Sequence, residues 1–323
     1  GVVTTATYEA RALGVFSAMG LMKSAQLAPD AVLLPANFDA YREYSRRFKA
    51  AVAEIAPCIE DRGIDEIFID LTDIAEDSLP LARRIKQAVY DATGLTCSIG
   101  ITPNKLLAKI CSDLDKPDGI TLLGLDELPS RIWPLPARKI NGIGPKANER
   151  LAQMGITTVG DLATAPVDRL VRNFGQTMGA WLNQVAHGID DRPIKTSREP
   201  KSISRETTFQ RDLHAKQDRA ELSEAFTGIC LRIADDLARK GYLARTIGIK
   251  LRYADFQVVT RDSTLTAPTA DAREIRRAAG ECLKRVPLEQ RLRLLGVRVS
   301  GLLPVSATNA VSTAVQVELP LGY

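Results

Sequence analysis

The chain has 323 residues, 45% of them hydrophobic and 25% charged, which is typical of a globular protein with room for two or three domains. The net charge of +4 is unevenly distributed: residues 1–123 have 13 Lys and Arg against 17 Asp and Glu, whereas residues 124–323 have 30 against 22. This distribution suggests a carboxylate site beside a polyanion-binding surface. The alternative is that the charges form ordinary solvated faces. No apolar run approaches the roughly 20 residues that cross a bilayer and no basic and apolar leader opens the chain, so we expect neither secretion nor membrane insertion.

The first third of the chain predicts an α/β layer of alternating strands and helices. After a small segment at 1–37, apolar residues at helical spacing predict a helix over Asp39–Ile55, which Pro57 ends. Two strand-like runs then meet at Arg62-Gly63 and predict a hairpin. There follow a helix over Leu79–Ala92, a strand over Cys97–Ile101, a helix over Asn104–Leu114, a turn at Lys116–Gly119 and a strand with the sequence ITLL.

The remainder predicts a helical region and a second domain. From Leu125 to about Gly188 we expect short helices separated by Gly and Pro. Residues Asp190 to Ser202 are polar and contain two prolines, which is typical of a linker. The strand SISRETTF, a helix near Ala220–Lys240, the strands TIGIKLRY and FQVVTRDSTL, a helix near Asp271–Val286 and the strand RLLGVRVSGL then predict an α+β domain, and the tail from Pro304 is predicted to be flexible.

Cysteine and histidine offer little chemistry in this chain. The five cysteines are scattered without a C-x-x-C pair, which argues against a disulfide framework and a thiolate zinc site and indicates a reducing, cytoplasmic compartment. The two histidines, His187 and His214, are too far apart for a metal cluster. Lone histidines of this kind are most often surface or cap residues.

The adjacent carboxylates Asp65 and Glu66 are the first candidate site. Two neighbouring carboxylates at the start of a strand can hold divalent cations, because hard oxygen ligands suit Mg²⁺. Successive strand residues point to opposite faces, so Glu66 would face away from Asp65 unless the turn at Gly63 relaxes the alternation. Taken alone, such a pair in a hairpin is more often a solvated turn.

The segment INGIGPKANERLAQMGITTVGDLA, residues 140–163, is more specific. Its turn of Gly142, Ile143 and Gly144 between two helical stretches predicts a helix–hairpin–helix. Glycines allow close approach of a phosphate, and the N–H groups that open the second helix form an anion site to which Lys146 adds charge. The alternative is an ordinary helix–turn–helix packing unit, but we expect contacts to a nucleic-acid backbone that do not read sequence.

The last domain is basic, with 20 Lys and Arg against 13 Asp and Glu between Lys201 and Arg298. In the strand Thr246–Tyr253, two-residue alternation places Lys250 and Arg252 on one face and three apolar side chains on the other. One basic and one apolar face fit a sheet that lies on a phosphate backbone. A solvated sheet face is the alternative.

Two weaker candidates for phosphate contact lie in the first half. Tyr8 and Arg11 are three residues apart on one side of a helical turn, where both could grip a phosphate. Lys116 precedes Pro117 at a rigid turn and could do the same. Arginine and lysine are common at turns, so each signal is weak by itself.

The tail carries a short peptide with both polar and apolar residues. Gln316, Leu319 and Leu321 are spaced in a way that suits docking into a groove on a partner. Without other context, a frayed terminus explains this segment equally well.

Together these motifs resemble the Y-family of translesion DNA polymerases, and most of all its bacterial DNA polymerase IV branch. TYEAR, IDEIFIDLTD, SIGITPNKLLAKICSDLDKPDGI, INGIGPK and KSISRETTF occur in the order and spacing of that family. The resemblance covers essentially the whole chain and implies a right-hand polymerase of α/β and α+β domains. Its layout would be fingers at 1–37 with an incomplete palm start, palm at 38–123, thumb with the helix–hairpin–helix at 124–189, linker at 190–200, little finger at 201–303 and a tail with a clamp-binding peptide at 304–323.

The resemblance also implies a role for each candidate residue. Asp65 and Glu66 would be palm carboxylates that hold two Mg²⁺ ions for nucleotidyl transfer. Contacts to the triphosphate of the incoming deoxynucleotide would come from Thr5, Tyr8, Arg11 and Lys116. The hairpin at 142–144 would grip the primer–template duplex, and the little finger would lie along its major groove. QVELPL is similar to the Q-x-x-L-x-[LF] peptide that binds the sliding clamp, through Gln316, Leu319 and Leu321, and we expect a cytoplasmic monomer.

The sequence departs from the family pattern in two places. Family members open with a strand that carries a further metal-binding aspartate and, soon after it, an aromatic gate against ribonucleotides, whereas this sequence begins at Gly1 inside the expected fingers; we therefore expect that an opening segment is missing. The hairpin reads GIDEI where the family usually has S-x-D-E-A, so Gly63 and Ile67 are atypical.

The sequence therefore predicts a DNA-directed DNA polymerase that copies past damaged bases. One alternative is a catalytically inactive polymerase-like protein that binds DNA and the sliding clamp. Another is a nucleotidyl cyclase-like palm fused to a DNA-binding module. The hairpin at 142–144 and the tail peptide speak against the cyclase.

Overall fold

The structure is a computed structural model and describes residues 1–306. The chain folds as two compact units that divide between Ser197 and Arg198. Within residues 1–306, no helix has the length and apolar character that a membrane span requires.

The first part of the N-terminal unit combines helices with two small sheets. The helices are Tyr8–Ala12 (α1), Leu21–Leu27 (α2), Phe38–Ile55 (α3), Ser78–Thr93 (α4) and Lys105–Cys111 (α5). The strands are Ile59–Asp61 (β1), Ile67–Ile69 (β2), Ile99–Ile101 (β3) and Ile120–Leu122 (β4). β1 and β2 form the predicted antiparallel hairpin, and β3 pairs in parallel with β4 through the crossover that contains α5.

Amphipathic helices build the core around these sheets. α3 and α4 bury one face each, with Val52, Leu81, Ile85 and Val89 at the centre, because their apolar residues recur every three to four positions. α5 begins at Lys105 rather than at the predicted Asn104. The Asn104 side chain accepts the Leu107 N–H and so serves as the cap that precedes the helix.

The rest of the N-terminal unit is helical, as the sequence predicts. Its helices are Pro145–Gln153 (α6), Val159–Thr164 (α7), Val167–Phe174 (α8) and Gln176–Ala186 (α9). One fully buried leucine from each of them joins a common core: Leu151, Leu162, Leu170 and Leu182. Short 3₁₀ and π turns, rather than regular α-helix, occupy the stretch before α6.

The C-terminal unit is a four-stranded antiparallel sheet with two helices on one face. The elements are Ser202–Leu213 (β5), Arg219–Lys240 (α10), Tyr242–Tyr253 (β6), Val258–Thr269 (β7), Ala272–Leu283 (α11) and Leu292–Pro304 (β8), and the strand order is β5-β8-β6-β7. Ile247, Ile249 and Leu251 are buried with α10 and α11. Alternation therefore leaves the other face of the sheet, called the open face below, uncovered by these helices.

Candidate functional site

Asp65 and Glu66 line one cavity of the N-terminal unit. β2 begins only at Ile67, so both carboxylates lie in the turn, where strand alternation does not separate them. The cavity has a volume of about 530 Å³, and the residues of β2 and β3 also line it. The two predicted metal-binding carboxylates therefore reach a common space.

Lysine and aspartate side chains hold the hairpin turn in shape. The Gly63 N–H donates to Asp61 Oδ1 at 3.0 Å, and Lys49 Nζ donates to the Gly63 carbonyl at 2.6 Å and to Asp61 at 2.9 Å. The hydrogen bond from Lys49 contributes most to a lowered pKa of Asp61. These contacts fix the loop that presents the two carboxylates.

Lys109 on α5 forms an ion pair with Glu66, and sequence reasoning missed it. Lys105, one helical turn earlier, pairs with Glu60 at 2.7 Å, so two lysines on one face of α5 meet two carboxylates of the hairpin. The spacing of four residues between Lys105 and Lys109 in NKLLAKI already indicated that the two lysines share one face of a helix. Without the hairpin register, nothing in the sequence indicated which carboxylates these lysines meet.

The donor set suits magnesium held jointly by protein and substrate. Among residues 1–306, no three His, Cys, Asp or Glu side chains form a cluster that could hold a metal ion. Mg²⁺ is commonly bound through one or two carboxylates together with waters and substrate phosphates. Asp65 and Glu66 match that chemistry if the metal ion replaces Lys109 as the partner of Glu66.

Lys116 lies beyond the end of α5. It pairs with Asp113 at 2.5 Å. Burial is the largest influence on Asp113 and opposes its ionisation, but the hydrogen bond from Lys116 and the nearby ammonium groups of Lys109 and Lys139 keep its pKa below the ordinary value. Lys86 of α4 steadies the following turn by donating to the Asp118 carbonyl at 2.8 Å.

Thr5, Tyr8 and Arg11 lie near the start of the chain and are exposed. Tyr8 and Arg11 share α1, and the guanidinium lies 5.9 Å from the centre of the phenol ring. Arg11 Nε donates to the Ala6 carbonyl at 2.9 Å, and the residue as a whole is exposed. Within the described part of the chain, neither these three residues nor Lys116 line the cavity of Asp65 and Glu66.

The two glycines of the predicted phosphate-binding hairpin have different surroundings. Gly142 has a φ of +114°, and a Cβ added there would come within 2.7 Å of the Trp181 ring, so packing alone requires glycine. Gly144, the residue before α6, has no atom within 4 Å of an added Cβ. Lys146 is exposed in the first turn of α6. The backbone at Gly144 is therefore open to the close approach of a phosphate, which is expected at this position.

Lys250 and Arg252 lie on the open face of the C-terminal sheet. Lys250 Nζ donates to Glu206 Oε2 at 2.8 Å across the intervening Gly296 of β8. Arg252 Nε is buried without a hydrogen-bond partner among the described atoms. A shallow cavity of about 280 Å³ on this face is lined in part by Glu206, Lys250 and Arg298. The predicted clamp-binding residues Gln316, Leu319 and Leu321 lie outside the described residues.

Comparison with known proteins shows similarity along nearly the whole chain. A DNA polymerase IV of Alkalilimnicola ehrlichii is 38% identical over 314 residues, which cover 96% of this chain and 87% of that protein. One from Methanoculleus marisnigri is 40% identical over 306 residues, 94% of this chain and 83% of that protein. A solved Y-family DNA polymerase chimera of Dbh and Dpo4 is 26% identical, covers 94% of this chain and 88% of its own, and superposes with a TM-score of 0.78. The chain belongs to the Y-family of DNA polymerases.

Family models divide the chain in a way that agrees with this membership. The impB/mucB/samB family matches residues 1–113, its C-terminal domain matches 200–316, and the thumb domain of DNA polymerase-iota matches 138–190. The Y-family resemblance and the multidomain right-hand fold with its helix–hairpin–helix thumb are confirmed. The predicted function is confirmed as well: the protein is a DNA-directed DNA polymerase of the translesion type. Its substrates are primer–template DNA and nucleotides, and divalent metal ions are general in the family.

Proposed function

We propose that Asp65 and Glu66 are the metal-binding carboxylates with which this translesion polymerase extends primers past damaged template bases. The observation that carries this proposal is that both carboxylates line one cavity beside β2 and β3. Two Mg²⁺ ions, when bound, would activate the primer 3′-hydroxyl and stabilise the leaving pyrophosphate. The protein supplies position and charge around them, which is most of what phosphoryl transfer requires.

The incoming triphosphate binds to Thr5, Tyr8, Arg11 and Lys116 in this proposal. Lys116 is partly exposed and pairs with Asp113 at 2.5 Å, and the charges of Lys109 and Lys139 act on the same carboxyl, which supports a polyanion site. Triphosphate oxygens then replace Asp113 as the partner of Lys116. Arg11 is suited to a phosphate because its fork of donors matches phosphate geometry.

Primer–template DNA contacts each of the two units. Gly142, Gly144 and Lys146 bind duplex phosphates in the N-terminal unit, supported by the open space at Gly144 and by the free N–H groups that begin α6. Lys250 and Arg252 bind phosphates in the C-terminal unit, supported by their place on the open face. Neither contact reads base sequence, which suits a polymerase that must accept any template.

The cavity between β2 and β3 has the form of a gap in a sheet. Within residues 1–306, β2 is paired only with β1 and β3 only with β4, and every residue of β2 and β3 lines the cavity. An extended segment inserted there would gain partners on both edges and lie beside Asp65 and Glu66. The family's strand with a further metal-binding aspartate suits this gap.

We also propose the domain layout of fingers at 1–37, palm at 38–123, thumb at 124–189, linker at 190–200 and little finger at 201–303. The protein acts as a monomer in the cytoplasm, in keeping with its unpaired cysteines. Gln316, Leu319 and Leu321 bind the sliding clamp. Deleting residues 316–323 should reduce primer extension only when clamp is present, and an equal loss without clamp would argue against a docking tail.

The catalytic assignment is tested with variants of the protein in which an amide replaces each carboxylate. D65N and E66Q should each abolish primer extension and weaken Mn²⁺ binding, measured by electron paramagnetic resonance, while DNA affinity stays within a few-fold. D73N is the matched control, since Asp73 is an exposed carboxylate of the following loop that does not line the cavity. Near-normal extension by D65N or E66Q would refute their role, and DNA binding without extension by the unaltered protein would favour the inactive alternative.

A further inference from the structure

Lys86 of α4 is a lysine whose side chain is only 17% exposed and which is not one of the proposed site residues. Its ammonium group donates to the Cys97 carbonyl, to the Asp118 carbonyl at 2.8 Å and to the Asp118 carboxylate. A lysine ammonium has three N–H donors, and three oxygen atoms accept from it here. Lys86 therefore joins α4 both to the residues that lead into β3 and to the turn at Lys116–Gly119.

The turn that Lys86 contacts has a backbone conformation that residues other than glycine disfavour. Asp118 has a φ of +57°, in the left-handed region. The next residue, Gly119, is attached to the start of β3, because its N–H donates to Ser98 Oγ at 3.2 Å and its carbonyl accepts the Ile99 N–H at 3.0 Å. The two hydrogen bonds from Lys86 to Asp118 thus stabilise the residue of the turn whose conformation is least favourable by itself.

Lys116 lies in the same turn, two residues before Asp118. Its side chain is 45% exposed and pairs with Asp113 at 2.5 Å. A lysine side chain is flexible, so the position of its backbone decides which space its ammonium can reach. If Asp118 left the left-handed region, the chain that precedes it would change direction, and the backbone of Lys116 would move with it.

We propose that Lys86 is a positioning residue for the incoming nucleotide, which holds the turn in the conformation that presents Lys116 to the triphosphate. The proposal rests on the proposed contact between Lys116 and the triphosphate. The role of Lys86 is indirect, because the oxygens of Cys97 and Asp118 already accept from its ammonium. Loss of Lys86 should therefore weaken nucleotide binding and leave the chemical step unchanged.

The test variant is K86M, because methionine keeps an apolar stem and lacks the ammonium. The measurement is the Kd of a fluorescent dNTP for the complex with a dideoxy-terminated primer–template, followed by kcat for single-nucleotide incorporation. Hydrogen bonds to charged groups contribute roughly tenfold or more to affinity, and a displaced Lys116 would lose part of this, so Kd should rise about threefold in K86M at unchanged kcat.

The matched control is R83M. Arg83 is an exposed residue of the same helix, and its replacement changes the net charge by the same amount. Kd for dNTP should stay unchanged in R83M. A Kd for K86M equal to that for R83M, or a fall in kcat without a rise in Kd, would overturn the proposal.

A second lysine variant shows whether Lys86 acts through Lys116. K116M should raise Kd about tenfold, and K86M/K116M should match K116M, because changes that act on the same contact are not additive. A further threefold rise in the double variant would overturn the link between the two lysines. An unchanged Kd in K116M would instead refute the proposed triphosphate contact, and the positioning role would fall with it.

Glycine at position 118 separates a local effect on the turn from a general loss of stability. Glycine adopts a positive φ without steric cost, so the turn in K86M/D118G no longer depends on the ammonium of Lys86, and Kd should return to within about twofold of the unaltered protein. Urea unfolding of the same variants reports any general loss of stability, which D118G would not correct. Failure of D118G to restore nucleotide affinity would overturn the positioning role, even if K86M proves less stable.

Discussion

Replacing Glu206 with glutamine should strengthen DNA binding through the open face. Glu206 accepts from Lys250 at 2.8 Å across Gly296, where an added Cβ would come within 2.9 Å of the Glu206 Cβ. The Glu206 and Lys250 side chains are 47% and 36% exposed, and pairs of this kind contribute about 0.2–1 kcal/mol. A phosphate must displace Glu206 to bind Lys250, so removing the competing charge should lower Kd by a factor of up to about five.

The assay is fluorescence anisotropy with a labelled primer–template duplex at several salt concentrations. E281Q is the control, because Glu281 also pairs with a lysine, Lys284, at 2.7 Å, but on α11, in the helical layer. Both variants change the net charge equally, so a larger gain for E206Q isolates the open face. The gain should shrink as salt rises. Equal gains in the two variants, or weaker binding by E206Q, would refute the placement of DNA on this face.

Three further outcomes are expected. K109M should bind Mn²⁺ severalfold more tightly by electron paramagnetic resonance, because Glu66 loses its competing cation; unchanged affinity would contradict this. The free energy of unfolding of G142A in urea should be at least about 2 kcal/mol lower than that of the unaltered protein, because Gly142 has a positive φ and lies close to Trp181. G144A should keep its stability and bind DNA less tightly. Hydrogen bonds from the Thr158 and Thr157 backbones lower the pKa of Asp161 to about 2. Asp161 should therefore add about 1 kcal/mol to the free energy of unfolding above pH 4, and this contribution should be lost as the pH falls toward 2. Urea unfolding of D161A should match that of the unaltered protein only at the acid end of this range.

Long helices could be predicted from the sequence because periodicity alone determines them. α3 and α4 occupy Phe38–Ile55 and Ser78–Thr93, within a residue or so of the predicted bounds. α5 is different, because it is buried on most sides and its apolar residues do not mark one face. It ends at Cys111, three residues before the predicted Leu114, and its Leu106 N–H donates to Asp190, a distant partner that a local pattern does not contain. Short elements between tertiary contacts are therefore the ones whose ends the sequence missed.

The candidate site could be predicted only where a local pattern marks its residues. Asp65 and Glu66 stand out as adjacent carboxylates, and the turn explains why they share a cavity despite the alternation of strands. Glu60 could not be distinguished from its neighbour Asp61 by composition, although one is fully buried and the other has a side chain that is 65% exposed. Buried charges contradict the usual preference of acidic residues for solvent, so sequence reasoning places them outside.

Helix α5 links two charge pairs that lie one helical turn apart. Lys105 meets Glu60 on one side of the hairpin turn, and Lys109 meets Glu66 on the other. Because a helix is rigid over one turn, displacement of one pair along the axis displaces the other. The buried pair tolerates little movement without exposing an uncompensated charge, so it fixes the hairpin against α5 and with it the position from which Lys109 competes for Glu66. The buried pair of Lys105 and Glu60 thus also sets the geometry of the proposed metal site.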